Sequence, residues 1–380
     1  MHILQTLAQK RLTPLGITIN GPNDWDPQID EKDMGNVLRR ILLLGSVGVG
    51  DTYRAGLWKT RKEATLEEFF VRVFGRYSPS RSRGLSDTAH RLYASVRNRQ
   101  KGHEEAVGES HYDKFSVVHE EVLGPSGQYS CAYLGDGVQT LDDAQLAKKR
   151  RTAEKLKLKP GMLVLDIGCG WGDFAYFLAT EYEVEVIGVT VSKQQAMVAE
   201  ERCAGKRVTI LYTPFEQLDE RYTGTFDRIV SVGMFEHVGT DNYDAFFEKA
   251  QSLLKPEGFM LLHSIVSFRT NKYGNAWINK RIFINGVLPS EEQMVKAYTP
   301  YFRMRHKEDF GLDYAPTLRW WYQRFASIRE SVVQRFGPEF YNETVFYFLS
   351  CVAKAVVGDL MLHQVVLTPR GVPPIEYRWR

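Results

Sequence analysis

The stretch VLDIGCGWGD, Val164 to Asp173, reads as a strand that runs into a glycine turn and opens a helix. Val164, Leu165 and Ile167 form a short apolar run suited to a buried parallel strand. Gly168, Gly170 and Gly172 then permit a tight turn and a close approach of backbone to ligand, because no Cβ intervenes. A unit of strand, Gly-x-Gly-x-Gly and helix cradles a nucleoside-like cofactor, with Asp166 at the strand's end facing the ligand's polar part. No lysine follows the last glycine, which excludes a nucleoside-triphosphate P-loop.

Working outward, the chain alternates strand and helix from about Gly108. A helix around Ala144 to Leu156 precedes the glycine turn, and Pro160-Gly161 separates the two. Strands are predicted at Val184 to Val189, Val208 to Leu211, Asp227 to Val232 and Phe259 to Ser264, with helices near Trp171, Ser192 and Asn242. The expected fold is α/β: a doubly wound, Rossmann-like parallel sheet with its ligands at the carboxyl ends of the strands. Residues 270 to 350 are richer in helix and aromatics, including Trp277, Phe283, Trp320, Trp321 and Tyr322. Such residues mostly build core, and as an insertion beside the sheet they would wall a long apolar pocket.

Upstream, residues 1–85 read as a small, mainly helical domain, 86–107 as a basic linker and 108–380 as the catalytic domain. MHILQTLAQKR lacks the apolar centre of a signal peptide and suits a short amphipathic helix. Asp30 is placed to cap a helix with the face Met34, Val37, Leu38, Ile41 and Leu42, ending at Gly45. GSVGVGDTYRAGLW is too glycine-rich for a helix interior and is expected as a packed turn. TLEEFFVRVF starts with a capping box of Thr65 and Glu68 and stops at Gly75.

From Arg72 to Lys101 eight cations face Asp87 alone. That pattern suits an anionic membrane surface or a solvated linker equally. The whole chain has a formal charge of only +3, so no general attraction to nucleic acid is expected. Cys131, Cys169, Cys203 and Cys351 are scattered without zinc-ligand spacing, and so few thiols in 380 residues fit a reducing cytoplasm. The most apolar stretch, Thr344 to Leu362, is interrupted by Lys354 and Asp359, so no spanning helix is expected.

QYSCAYL (Gln128 to Leu134), VLDIGCGWGD, GVTVSKQQ, FDRIVSVGMFEHVG, LLHSI, WINKRIF and GVLPS, in this order, resemble the bacterial cyclopropane fatty acid synthases and their relatives, the mycolic acid cyclopropane synthases and methyltransferases. GSVGVGDTYRAG and His111-Tyr112-Asp113 resemble the N-terminal part of the longer bacterial members. The resemblance implies S-adenosylmethionine as cofactor, with Gly168, Gly170 and Gly172 against its amino-acid portion and Tyr129 and Ser130 on the other side. Thr190, Val191 and Gln195 would meet ribose and adenosine. It further implies a bound bicarbonate ion as the proton-abstracting base, held by Cys131, Glu236, His263, Ile265 and Tyr314. Cys131 and Ile265 would offer backbone N–H groups, and Glu236 would share a proton with the anion. Cys351 matches a cysteine considered as a nucleophile in the family, although its apolar setting suits packing.

The implied reaction adds a methylene across the cis double bond of unsaturated acyl chains in membrane phospholipids. The chemistry is demanding: a poorly nucleophilic alkene must be held against the sulfonium methyl. Ring closure then needs a base, and electron-rich aromatic faces such as Tyr314 stabilise the intervening cation. Stopping at methyl transfer would give a branched or methylene product, and an inactive lipid- or adenosyl-binding protein is the non-enzymatic alternative. The family further implies a cytoplasmic homodimer at the inner face of the membrane, with no nucleic-acid partner and no metal. Departures from its pattern are Lys114 to Val117, Leu134, Thr213-Pro214-Phe215 and Val266.

Overall fold

The computed structural model describes residues 2–75, 118–270, 274–283, 286–373 and 376–379. Its described residues form two compact units interleaved along the chain. One takes 2–75, 274–283 and 314–359, and the other takes the rest, whereas a linear division was expected. The linker at 86–107, the basic segment beyond Arg72 and His111 to Val117 lie outside the described residues.

The first unit is mainly helical. Helix His2–Leu12 forms as expected, and two short strands, β1 (Pro27–Gln28) and β2 (Lys59–Thr60), pair antiparallel. Asp30 stands at the start of helix Glu31–Arg54, its carbonyl accepting the Asp33 and Met34 N–H groups. The glycine-rich stretch is not the expected turn: the helix runs on to Arg54 and breaks only at Gly45, at φ 52° and ψ −128°, a region open chiefly to glycine. Packing explains this, since a Cβ on Gly50 would lie 2.2 Å from the Trp277 indole.

The expected capping box is also replaced. Thr65 donates its hydroxyl to the Asp24 and Lys62 carbonyls and its N–H to Lys62, while Glu68 pairs with Arg72 at 2.8 Å. Helix Leu66–Gly75 forms, and the residues that follow Gly75 lie outside the described ones. Trp277 and Trp321 are fully buried, and the Phe346 ring in helix Pro338–Val356 lies 4.5 Å from Trp277 and 5.0 Å from Phe70. These aromatics are core to this unit.

The second unit is built on a seven-stranded sheet of β3 (Leu163–Ile167), β4 (Glu185–Thr190), β5 (Val208–Tyr212), β6 (Phe226–Val232), β7 (Leu254–Ser267), β8 (Phe302–Asp309) and β9 (Leu360–Pro369), ordered 5-4-3-6-7-9-8. Strands β3 to β7 are parallel, as their apolar runs require. Two strands that the sequence reading did not place extend one edge, where β9 pairs antiparallel with both β7 and β8. Helix Leu141–Lys155 leads into β3, and helices Asp173–Glu181, Lys193–Arg202 and Tyr243–Leu253 connect the parallel strands. Phe246, Phe247, Ile229, Leu262 and Val365 fill one core cluster, and Val164, Leu178, Val230 and Leu261 fill another. Among the described residues no helix is long and apolar enough to cross a membrane.

Candidate active site

The glycine turn follows β3 and is tied to the end of β4, the Gly168 and Cys169 N–H groups both donating to the Val189 carbonyl. Gly168, Gly170 and Gly172 all adopt left-handed backbone, with φ of 80°, 55° and 78°. A Cβ on Gly168 would meet Met234 at 2.7 Å and one on Gly172 would meet Ala199 at 2.8 Å. At Gly170 it would meet no atom within 4 Å, so that glycine faces open space. Asp166, on the adjoining strand, is buried, its Oδ2 without a partner among the described residues, and burial pushes its carboxyl up to about 7. After β4, Thr190 donates to Gln195 Oε1 at 2.8 Å, Ser192 caps the next helix and Val191 is exposed.

Gln128 to Tyr133 form a strap fastened largely by helix Leu141–Lys155. Gln145 donates to the Ser130 carbonyl at 2.9 Å, Lys148 Nζ donates to Ser130 Oγ at 2.6 Å, and the Tyr133 N–H donates to the Ala144 carbonyl at 3.2 Å. Gln128 reaches Asp173 at 3.0 Å, sharing that carboxylate with Lys149. Lys148 is buried, and desolvation pushes its ammonium down to about 7 against the pull of Cys131 and Asp173. Tyr129 and Ser130 are half-buried on this strap and Cys131 is buried, its Sγ 3.3 Å from the Ala132 carbonyl.

Glu236 lies in a single helical turn just past β6, and His263 and Ile265 lie on β7. The Gly233 N–H donates to the His263 carbonyl at 2.9 Å and so ties the two strand ends together. The Ile265 N–H, expected to face an anion, donates instead to Glu236 Oε1 at 2.6 Å. Glu236 Oε2 and His263 Nε2 are buried and have no partner among the described residues. Burial raises the Glu236 carboxyl to about 7, against the lowering effect of hydrogen bonds from Ile265, its own backbone and Ser264. Burial, reinforced by the charges of Lys148 and Lys155, holds His263 well below the usual imidazole value.

Tyr314 and Cys351 belong to the first unit. Tyr314 opens helix Tyr314–Ser327, is buried, and stands edge-on to Trp321 at 6.2 Å. It directly follows Asp313, whose carboxylate accepts the Leu134 N–H at 2.8 Å within the second unit. Cys351 sits in helix Pro338–Val356, and burial pushes its thiol up to about 11, a protonated and weakly nucleophilic state at neutral pH. Sequence reading did not single out Gln145, Lys148, Lys155, Glu308 or Gln364, although Gln364 Nε2 lies 3.2 Å from His263 Nδ1.

The mostly parallel sheet and the left-handed glycine turn define an S-adenosylmethionine-dependent methyltransferase fold. The family model for mycolic acid cyclopropane synthetase matches residues 99–365, and the chain belongs to that family. It is 40% identical over 368 residues to the cyclopropane-fatty-acyl-phospholipid synthase of Escherichia coli strain K12, covering 96% of this chain and 93% of that one. Cyclopropane mycolic acid synthase 1 of Mycobacterium tuberculosis strain H37Ra is 34% identical over 67% of this chain and 94% of its own. The solved structure of the mycolic acid cyclopropane synthase CmaA1 complexed with SAH and CTAB is similar at a TM-score of 0.65 and 31% identity, over 70% of this chain and 98% of that one.

Proposed function

We propose that this chain uses S-adenosylmethionine to convert cis double bonds in phospholipid acyl chains into cyclopropane rings, with bicarbonate as the base. Identity of 40% to a cyclopropane-fatty-acyl-phospholipid synthase over nearly the full length of both chains supports the reaction. The observation that carries the site is the pair of buried polar atoms without a partner among the described residues, Glu236 Oε2 just past β6 and His263 Nε2 on β7, level with the end of β6. Buried polar atoms of this kind are normally satisfied, so two together suit a bound polar group.

The donor's methyl group supplies the added carbon, and bicarbonate supplies a proton acceptor small enough for a closed site. The open face at Gly170, the spare Asp166 oxygen and the strap carrying Tyr129 and Ser130 suit the amino-acid end of the donor. Gly168 and Gly172 shape the turn, while Thr190, Val191 and Gln195 suit its ribose and adenine. Glu236, fixed through Oε1 by Ile265, keeps Oε2 for the anion, and a carboxyl near neutrality shares a proton with it where two bare anions would repel. His263 adds a hydrogen bond and Cys131 a backbone N–H. The enzyme works as a homodimer, peripherally bound at the cytoplasmic face of the membrane.

The test is to incubate the purified protein with methyl-labelled S-adenosylmethionine and vesicles of unsaturated phospholipid, then analyse the fatty acids by mass spectrometry. A labelled cyclopropane chain is expected. A methyl-branched chain would overturn ring closure, and unlabelled lipid would overturn the whole reading. Rigorous removal of bicarbonate is expected to suppress turnover, and unchanged turnover would remove the anion from the reaction.

A further inference from the structure

Behind His263 runs a closed set of buried hydrogen bonds whose direction is dictated by chemistry. Lys155 is fully buried, and its Nζ lies 2.5 Å from Gln364 Oε1 while also bonding the Glu308 carboxylate. Glu308 is bound in turn by Arg151, whose Nε is 2.8 Å away. An ammonium beside a carboxylate only donates, so the Gln364 atom facing it is the oxygen. The opposite side gives the same orientation independently. Thr152 spends its hydroxyl proton on the Lys148 carbonyl at 2.8 Å, which leaves Oγ1 to accept from Gln364 Nε2 at 3.0 Å.

Gln364 Nε2 therefore has one hydrogen left, and the atom 3.2 Å away is His263 Nδ1. A donor facing Nδ1 requires a lone pair there, which puts the ring proton on Nε2. Nε2 is the buried atom without a partner among the described residues.

We propose that Lys155 and Gln364 are positioning residues that lock His263 as the Nε2–H tautomer, so that the ring presents a hydrogen-bond donor to the site and never takes the reaction's proton. The functional meaning rests on the proposed anion at Glu236 and His263, whereas the tautomer itself does not. The assignment divides labour: Glu236 handles a proton, and His263 supplies a fixed dipole aimed at negative charge. The ionisable groups around the ring agree with it. Lys148 and Lys155 on the 141–155 helix disfavour a second proton, and Glu308 on β8 is already committed to Lys155 and Arg151. Cys131 on the strap and Glu236 beyond β6 are the other ionisable groups assigned to the same site.

The experiment is long-range proton–nitrogen NMR on the full-length protein labelled with nitrogen-15 at histidine, with the His263 signals assigned by their loss in H263Q. The expected result is a neutral ring protonated at Nε2 that does not titrate from pH 5.5 to 8.5. A ring protonated at Nδ1, or one that titrates in this range, overturns the proposal without touching the cyclopropanation reading. In Q364E the new carboxylate accepts from Nδ1, so the tautomer is expected to switch and the ring to titrate. In K155M only the Thr152 hydroxyl is left to orient the amide, and a turn of that hydroxyl lets the amide flip, so a mixture of tautomers is expected, with kcat falling at least tenfold and KM for S-adenosylmethionine little changed. Unaltered His263 spectra in both folded variants would also overturn it. If bicarbonate proves dispensable while the spectra are as expected, the anion reading fails and the tautomer lock stands.

Discussion

Glu236 concentrates the physical chemistry of the site in one side chain. Its carboxyl is raised to about 7, so the folded protein binds this proton more tightly than the unfolded chain. The stabilisation it contributes is complete below the free-glutamate value of 4.5 and is lost as pH rises through about 7. E236Q keeps the shape without the titration. Its melting temperature is therefore expected to fall less than the wild type's between pH 5 and 8 in differential scanning calorimetry, and parallel curves would show an unperturbed carboxyl. Turnover of the same variant is expected to drop by about 100-fold or more, the usual scale for losing a proton-handling group. Gly172 offers a test of the turn. G172A places a side chain in left-handed backbone, at about 1–2 kcal/mol, and against Ala199, at about 1–3 kcal/mol of forced packing. Urea unfolding should therefore show a lower midpoint with an unchanged slope.

At the scale of elements, the helix Leu141–Lys155 does more than lead into β3. Gln145, Lys148, Thr152 and Lys155 recur at spacings of three and four, so they share one face, and all four are buried. A polar stripe in phase with Leu141 and Ala144, where an apolar one belongs, is the sequence signal that would have found the residues behind the strap and His263. It is faint because lysine and glutamine ordinarily mark a solvated face. Q145L leaves the Ser130 carbonyl without its side-chain donor, at about 1–3 kcal/mol. It is expected to weaken S-adenosylmethionine binding in calorimetry more than it lowers the melting temperature, whereas equal affinity would show that the strap needs no such fastening.

The parallel strands were readable because each is a short apolar run bounded by turn residues. β9 was not, because LMLHQVVLTP continues the apolar helix Pro338–Val356 and only the turn around Gly358, at φ 76°, separates them. β8 escaped because FRMRHKED is mostly charged, as an exposed edge strand tends to be. The glycine-rich helix depends on Trp277, more than two hundred residues away, and no local pattern announces that contact. Glu236 and His263 were placed by family motifs, whereas Gln364 needed the antiparallel edge to bring it beside the ring.

For the whole molecule, 49 basic against 46 acidic residues leave too little net charge to hold a membrane by general attraction. The asymmetry sits in the segment from Arg72 to Lys101, and Arg72 is already engaged by Glu68 and the Trp25 ring. The remaining cations are the ones to test. Each basic residue near anionic headgroups contributes about 1 kcal/mol, so replacing Arg81, Arg83 and Arg91 together by glutamine removes about 3 kcal/mol, on the order of a hundredfold in partitioning. Sedimentation with vesicles rich in anionic, unsaturated phospholipid should show that loss, and should show wild-type binding weakening as salt shortens the screening length. Turnover on a short-chain, detergent-dispersed unsaturated lipid should be preserved in the triple variant, because the change lies in reaching the bilayer rather than in the chemistry. Unchanged vesicle binding would assign the segment to a solvated connector, and equal loss on dispersed lipid would place its charges in the reaction itself.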